Sequence, residues 1–265
     1  MDMSALISLR GVSMVFSEQA AVDNLSLSVE PGEVLALLGQ TGAGKSTVLN
    51  LILGQIRPTA GTVIVDGHDP YADTEALRGK MAVSFQTDRL LPWRTALRNV
   101  ELGLEILRRS RDRRATLAAD WLMRVKLDQV HHGKFPHQLS GGMRQRVSLA
   151  RALVIDPDLV LLDESFSQLD HVTSSALRRD FLSLVKEYRK TCVLITHRID
   201  DALEMADRII VLAAPARIVS ELLIDPAERG REDWLVATSR RITREMAALS
   251  SPIDSPADTG ATLSP

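Results

Sequence analysis

The chain of 265 residues holds a single cysteine, Cys192, so no internal disulfide can form. That cysteine lies in the apolar run Cys192-Val193-Leu194-Ile195 and reads as a small buried core residue, not a reactive thiol. Long hydrophobic runs are missing too. None approaches the ~18 residues a membrane-spanning helix needs, and the longest candidate, Ile209 to Ala214, is broken by Pro215. The start, Met1-Asp2-Met3-Ser4, lacks the basic region and apolar core of a secretion signal, so a cytoplasmic location is expected. Neither sign of charge dominates: 32 Lys and Arg against 34 Asp and Glu give a formal net charge of −2. That balance supplies no electrostatic reason to bind nucleic acid. One basic run, Arg108, Arg109, Arg111, Arg113 and Arg114, has no interleaved aromatics and reads as a solvated helix end or loop.

What remains is ordinary globular material, 45% hydrophobic and 25% charged, enough for one large domain or two small ones. Alternating runs at Ile7–Leu9, Val12–Phe16 and Leu25–Val29 predict half-buried antiparallel strands. Val34–Leu38 reads as a buried strand fed by the Pro31-Gly32 turn, and Thr62–Val65 and Met81–Gln86 as further strands. From about Thr95 to Val130 the chain is rich in Leu, Arg, Ala and Glu, with helical spacing at Val100, Leu104, Leu107 and at Leu117, Trp121, Val125. Buried strands then return at Leu159–Leu162, Val193–Thr196 and Ile209–Leu212, alternating with helices, which predicts a mainly parallel α/β sheet. The end, from Ser250, is rich in Ser, Pro, Ala and Asp and has little to bury.

The most informative segment is Gly39-Gln40-Thr41-Gly42-Ala43-Gly44-Lys45-Ser46-Thr47, between the strand at Val34 and a helical face formed by Val48, Leu49, Leu51, Ile52 and Ile56. Glycines let consecutive N–H groups curl towards phosphate oxygens, and the next helix adds its positive end. Lys45 would reach the β- and γ-phosphates, and the Ser46 hydroxyl would enter a Mg²⁺ shell. The strand Leu159–Leu162 delivers Asp163 and Glu164 at its C-terminal edge, the edge where the phosphate loop also sits. Asp163 suits Mg²⁺, held mostly through water, and Glu164 suits a water attacking the γ-phosphate. Ser140-Gly141-Gly142 is a second capped helix start and a second anion site. Two phosphate sites so far apart in one chain make sense if each nucleotide is shared between two copies.

Jointly these motifs resemble the nucleotide-binding subunit of an ATP-binding-cassette transporter, from about Ile7 to Leu223 and in that family's order. The resemblance implies a P-loop NTPase (RecA-like) core with an N-terminal antiparallel β subdomain and an inserted α-helical subdomain at about 87–157. One ATPase domain would span 5–245, with 246–265 a disordered tail. It further implies that Phe16 stacks on adenine, that Gln86 contacts the Mg²⁺ and water site, and that Asp170 crosses the dimer interface. Ser140, Gly141 and Gly142 would close over the γ-phosphate of the opposing subunit, and His197 would contact it. ATP and Mg²⁺ are the implied cofactors, with Ser46, Gln86 and Asp163 around the metal and Glu164, His197, Gln86 and Lys45 as the catalytic set. Implied partners are a second copy, transmembrane permease subunits and, indirectly, an extracytoplasmic solute-binding protein, at the cytoplasmic face of the inner membrane. No nucleic-acid partner is implied.

The loop Leu91-Pro92-Trp93 is an apolar knob in polar surroundings. With Pro136-His137-Gln138 and Met143, it is similar to importers of nitrate, aliphatic sulfonates and taurine. Three positions depart from the family pattern: Ser165 in place of proline, Gln168 in place of alanine, and Arg198, which would put positive charge near the γ-phosphate. They keep a rival reading alive, an ATP-binding regulatory protein with little turnover. A soluble cassette of translation or DNA repair would carry two cassettes or a long coiled-coil insertion, and this chain has neither.

Overall fold

A computed structural model describes residues 5–248. The alternating N-terminal stretch forms β1 (Ile7–Phe16) and β2 (Gln19–Val29), paired antiparallel. The two short strands expected on either side of Gly11 are one strand. Gly11 adopts φ 56°, and a register shift between Leu9 and Val12 marks a bulge that lets pairing continue. Next, β3 (Val34–Leu38) is buried at every residue and runs through the glycine loop into α1 (Lys45–Ile52). β4 (Ala60–Val65) pairs with β1, giving a three-stranded sheet in the order β2-β1-β4.

The remaining elements build a larger sheet and its cover. They are β5 (Met81–Ser84), α2 (Ala96–Ile106), α3 (Arg111–Arg124), α4 (Gly141–Leu153), β6 (Leu159–Asp163) and α5 (His171–Glu187). β7 (Thr191–Thr196), α6 (Ile199–Met205), β8 (Arg208–Ala213), β9 (Arg217–Leu223) and α7 (Glu232–Ala248) complete the chain. The order is β5-β6-β7-β3-β8-β9, parallel except for β9, which runs antiparallel to β8.

Both faces of this sheet are covered over β3, β6, β7 and β8, which is why those strands are near-continuous apolar runs instead of alternating. On one face Ala36, Leu38, Val160, Leu162 and Leu194 pack among the helices of the insertion and α5. On the other, Leu35, Leu37, Leu161, Val193 and Ile195 pack against α1 and the small β-sheet. Cys192 is fully buried, and burial pushes its thiol up to about 12, as an inert core residue requires. Leu117, assigned by spacing to the buried face of α3, is exposed, while Trp121 and Val125 are buried. α7 continues through 246–248, so these three residues of the expected tail are helical, and the rest of it, 249–265, lies outside the described residues.

Candidate functional site

Strands β6, β7 and β3 are neighbours and parallel, so the residues that follow them emerge at one edge. β3 delivers the glycine loop. Gly44 caps α1 in the left-handed region at φ 81°, and a Cβ there would lie 2.3 Å from the Ala21 carbonyl oxygen. A Cβ on Gly39 would lie 2.8 Å from the Leu212 carbonyl oxygen. The loop is therefore pressed against β8 and the start of β2, and only glycine fits at those two points. Lys45 is 6% exposed, and its ammonium donates to the Gly39 and Gln40 carbonyl oxygens at 2.7 and 2.8 Å. Burial lowers its pKa, and the nearby charges of Glu164 and Asp163 oppose that shift. A cavity of about 260 Å³ lies over the loop, lined by Thr41, Lys45, Ser46, Thr47 and Glu164 among others.

β6 delivers the carboxylates. Burial pushes the Asp163 carboxyl above its ordinary value, Glu164 adds to this, and Arg89 and Lys45 pull the other way. Glu164 sits at φ 48°, a left-handed kink held by its N–H donating to the Ile195 carbonyl oxygen at 2.9 Å. The kink carries the side chain towards β7, where His197 Nδ1 donates to Glu164 Oε1 at 2.9 Å. Among the described residues no cluster of three or more His, Cys, Asp or Glu side chains could hold a metal. A hydroxyl at Ser46, an amide at Gln86 and the carboxylate of Asp163 suit Mg²⁺, which takes few protein ligands and fills its shell with water and phosphate oxygens. A cation beside Asp163 would also offset the cost of burying it.

Ser165 has a structural answer. It is 2% exposed, and its hydroxyl donates to the Ser84 carbonyl oxygen at 2.7 Å, tying the exit of β6 to the end of β5. The Ser84 hydroxyl lies 3.4 Å from both Gln145 Nε2 and the Ser148 hydroxyl on α4. Ser165→Ala is expected to cost about 1–2 kcal/mol, by stranding a buried acceptor, and to slow hydrolysis severalfold as the Glu164 kink loosens. Urea melts and phosphate release check both effects.

The other expected residues fall as follows. Gln86 is exposed, with its amide 3.4 Å from the Ser167 hydroxyl. Phe16 ends β1 and is 46% exposed. Asp170 is the N-cap of α5, accepting from the Thr173 N–H at 3.0 Å, and that hydrogen bond lowers its pKa. Arg198 has its Nε 3.6 Å from buried Asp201. Gln168 is exposed, and nothing in the fold explains its presence.

Ser140 caps α4, accepting from the Met143 N–H at 3.3 Å. Gly142 packs so closely on α5 that a Cβ would lie 2.9 Å from Thr173 Cγ2. None of Ser140, Gly141 and Gly142 lines the cavity over Lys45, so within one protomer the start of α4 lies outside it.

Sequence reading missed the residues that hold the loops. Asn99, fully buried, accepts from the Leu91 N–H at 2.7 Å and donates to the Leu91, Arg94 and Thr95 carbonyls at 2.9–3.2 Å. It braces the knob on which Trp93 stands 71% exposed. Arg144 reaches Asp88 at 2.9 Å, and Arg151 donates to the Asp88 and Arg89 carbonyls at 2.7 and 2.8 Å, clamping the same loop to α4. The only signal was a polar Asn inside an apolar helical face.

Residues 22–167 match the family model described as ABC transporter. The chain belongs to the ABC transporter family. The taurine import ATP-binding protein TauB of Yersinia pestis is 38% identical to this cassette, over 86% of this chain and 88% of its own. The nitrate import ATP-binding protein NrtD of Synechococcus elongatus is 40% identical, over 83% of this chain and 80% of its own. A cassette solved as a dimer in a post-hydrolysis state, bound to ADP and Pi, matches with a TM-score of 0.74 and 33% identity, over 83% of this chain and 99% of its own. The expected α/β core stands, and the cassette is an ATPase that uses ATP with Mg²⁺.

Proposed function

We propose that this cassette is the ATP-hydrolysing subunit of an importer for a small anion of the nitrate, sulfonate or taurine kind. It would work as a head-to-tail pair at the cytoplasmic face of the membrane, bound to permease subunits that an extracytoplasmic binding protein feeds. The observation that carries the partner assignment is Trp93, 71% exposed on a loop braced by a fully buried Asn99. A rigid aromatic knob of this kind is what a groove in another protein takes up. The names of the relatives at 38% and 40% identity support the solute class.

Hydrolysis follows from the arrangement of groups. The glycine-loop N–H groups and Lys45 hold the phosphates, with Lys45 exchanging its two carbonyl acceptors for phosphate oxygens. Glu164 takes a proton from the water that attacks the γ-phosphorus as the bond to the ADP oxygen breaks. His197, oriented by Glu164 through Nδ1, would contact the γ-phosphate from the other edge of its ring. Ser46, Gln86 and Asp163 would hold Mg²⁺, which when bound would neutralise phosphate charge. Phe16 stacks on adenine. Ser140, Gly141 and Gly142 of a second copy complete the pocket, with Asp170 at the seam, because their own protomer holds them away from Lys45. The helical insertion would then be the arm at about 87–157 that transmits closure to the permease.

The low-turnover alternative loses its motive. The φ lock that a proline would give is replaced by the Ser165 hydroxyl's 2.7 Å hydrogen bond, and the Arg198 charge is engaged by Asp201. The test is reconstitution with the permease subunits in vesicles. Trp93→Ala should weaken assembly by about 30-fold, as for a 2 kcal/mol interface hot spot, and abolish taurine- or nitrate-dependent phosphate release. The basal ATPase of the isolated chain should stay intact. Assembly at parental strength would overturn the knob assignment.

A further inference from the structure

The turn after β5 aims one arginine at the phosphate site. Arg89 has φ 44°, a left-handed backbone that a residue with a Cβ adopts only at a cost. Hydrogen bonds from both sides hold it there. Arg151 donates to the Asp88 and Arg89 carbonyl oxygens at 2.7 and 2.8 Å. The Asp88 carboxylate accepts from the Leu90 N–H at 3.1 Å and from Arg144 at 2.9 Å. The strained turn brings the Arg89 side chain back over the strand it left, with its guanidinium carbon 3.5 Å from the centroid of the Phe85 ring. A guanidinium so close to a ring face is held by its charge as well as by contact.

Phe85 stands beside Asp163. β5 and β6 are parallel with Ser84 opposite Leu162, so Phe85 and Asp163 follow as the next pair along. Alternation gives both side chains the sheet face of Val83 and Leu161, which pack against α1, the helix that opens at Lys45 and Ser46. Burial and Glu164 push the Asp163 carboxyl up, and of the two cations that pull it back Arg89 acts more strongly than Lys45. In the proposed site ATP puts its γ-phosphate between Lys45 and Glu164, next to Asp163, whereas ADP stops one phosphate short. A cation on this side of the site therefore meets charge that only ATP carries.

We infer that Arg89 binds the γ-phosphate and gives the site a preference for ATP over ADP. That role rests on the proposed seating of the phosphates at Lys45. Arg144 and Arg151 fix the backbone on either side, so the guanidinium travels by turning about its own side-chain bonds. It exchanges the Phe85 ring face for phosphate oxygens, which its planar fork can meet with two parallel hydrogen bonds.

The full chain is titrated with the fluorescent nucleotides mant-ATP and mant-ADP in EDTA, where no metal screens the phosphates. Arg89→Gln, at an exposed position, should weaken mant-ATP about tenfold, as for a lost hydrogen bond to a charged group, and leave mant-ADP within about twofold. Arg89→Gly also relieves the left-handed backbone, so it should lose the same affinity for mant-ATP without the turn unravelling. Equal losses for the two nucleotides would make Arg89 a structural counter-charge of Asp163 and overturn the role. Parental affinity for mant-ATP in either variant would overturn it as well. Lys45→Ala that bound both nucleotides like the parent would overturn the phosphate seating, and the role of Arg89 with it.

Discussion

Glu164→Gln is expected to reduce phosphate release by about 10²–10⁴-fold, the usual weight of a general base, and to leave ATP binding intact. Glutamine keeps the shape and can still accept from His197 Nδ1, now 2.9 Å from Glu164 Oε1, so the local geometry survives. The change removes a negative charge that lines the cavity over the glycine loop and pushes up the Asp163 carboxyl. Asp163 then ionises more readily, which favours Mg²⁺ binding, and in the proposed pair less negative charge would oppose the γ-phosphate. ATP should therefore hold two copies together long enough to run as a dimer on size exclusion in MgATP, while the parent runs as a monomer. Parental phosphate release in the variant would remove Glu164 from its role.

Arg178→Met is expected to be the most damaging change outside the phosphate loop. Arg178 is 0% exposed, and its guanidinium donates at 2.6 Å to Asp201, to Glu204 and to the Ser174 hydroxyl. The Ser174 hydroxyl donates in turn to the Phe166 carbonyl, two residues past Glu164, and Thr196 beside His197 donates to Asp201. One cation thus ties α5 to α6 beneath both catalytic loops. Methionine fills the space but leaves Asp201 buried with only Arg198 at 3.6 Å for charge, so a loss of about 3 kcal/mol follows. For a chain of this size that is a melting point lower by roughly 6–12 °C.

The deficit should depend on pH, with a definite sign. Burial raises the Asp201 pKa and Arg178 is the first group opposing it, so the variant raises it further. A carboxyl whose folded pKa lies above its unfolded value binds more protons when folded, and stability then falls as pH rises between the two. The gap between variant and parent should be widest near neutrality and narrow towards the ordinary carboxylate range. Thermal melts from pH 4.5 to 7.5 measure it, and a pH-independent gap would exclude Asp201 as the stranded charge.

The site was legible wherever its chemistry is local. The glycine loop with Lys45, the Asp163-Glu164 pair ending a buried strand, and the Ser140 cap are all defined by neighbours within a few residues. Their supports were not. Ser165 answers to Ser84 across 81 residues and Arg178 to Asp201 across 23, and no spacing rule connects residues that only folding brings together. Two elements escaped for lack of burial. β9 buries only Leu222, and α7, among the described residues, fully buries only Ile242, with Trp234, Leu235 and Met246 partly buried against the core. The bulge at Gly11 also escaped, since a break in alternation looks the same whether the chain turns or merely slips register.

The amino-acid order alone determined that a phosphate-binding loop, two acids and a second capped helix share an α/β core, because backbone geometry and charge act over short stretches of chain. Tertiary structure alone decided which strands lie side by side, which arginines are locked in pairs, and that Ser140 lies outside its own protomer's cavity. Those outcomes follow from packing among residues distant in the chain, where burial and charge pairing are settled together.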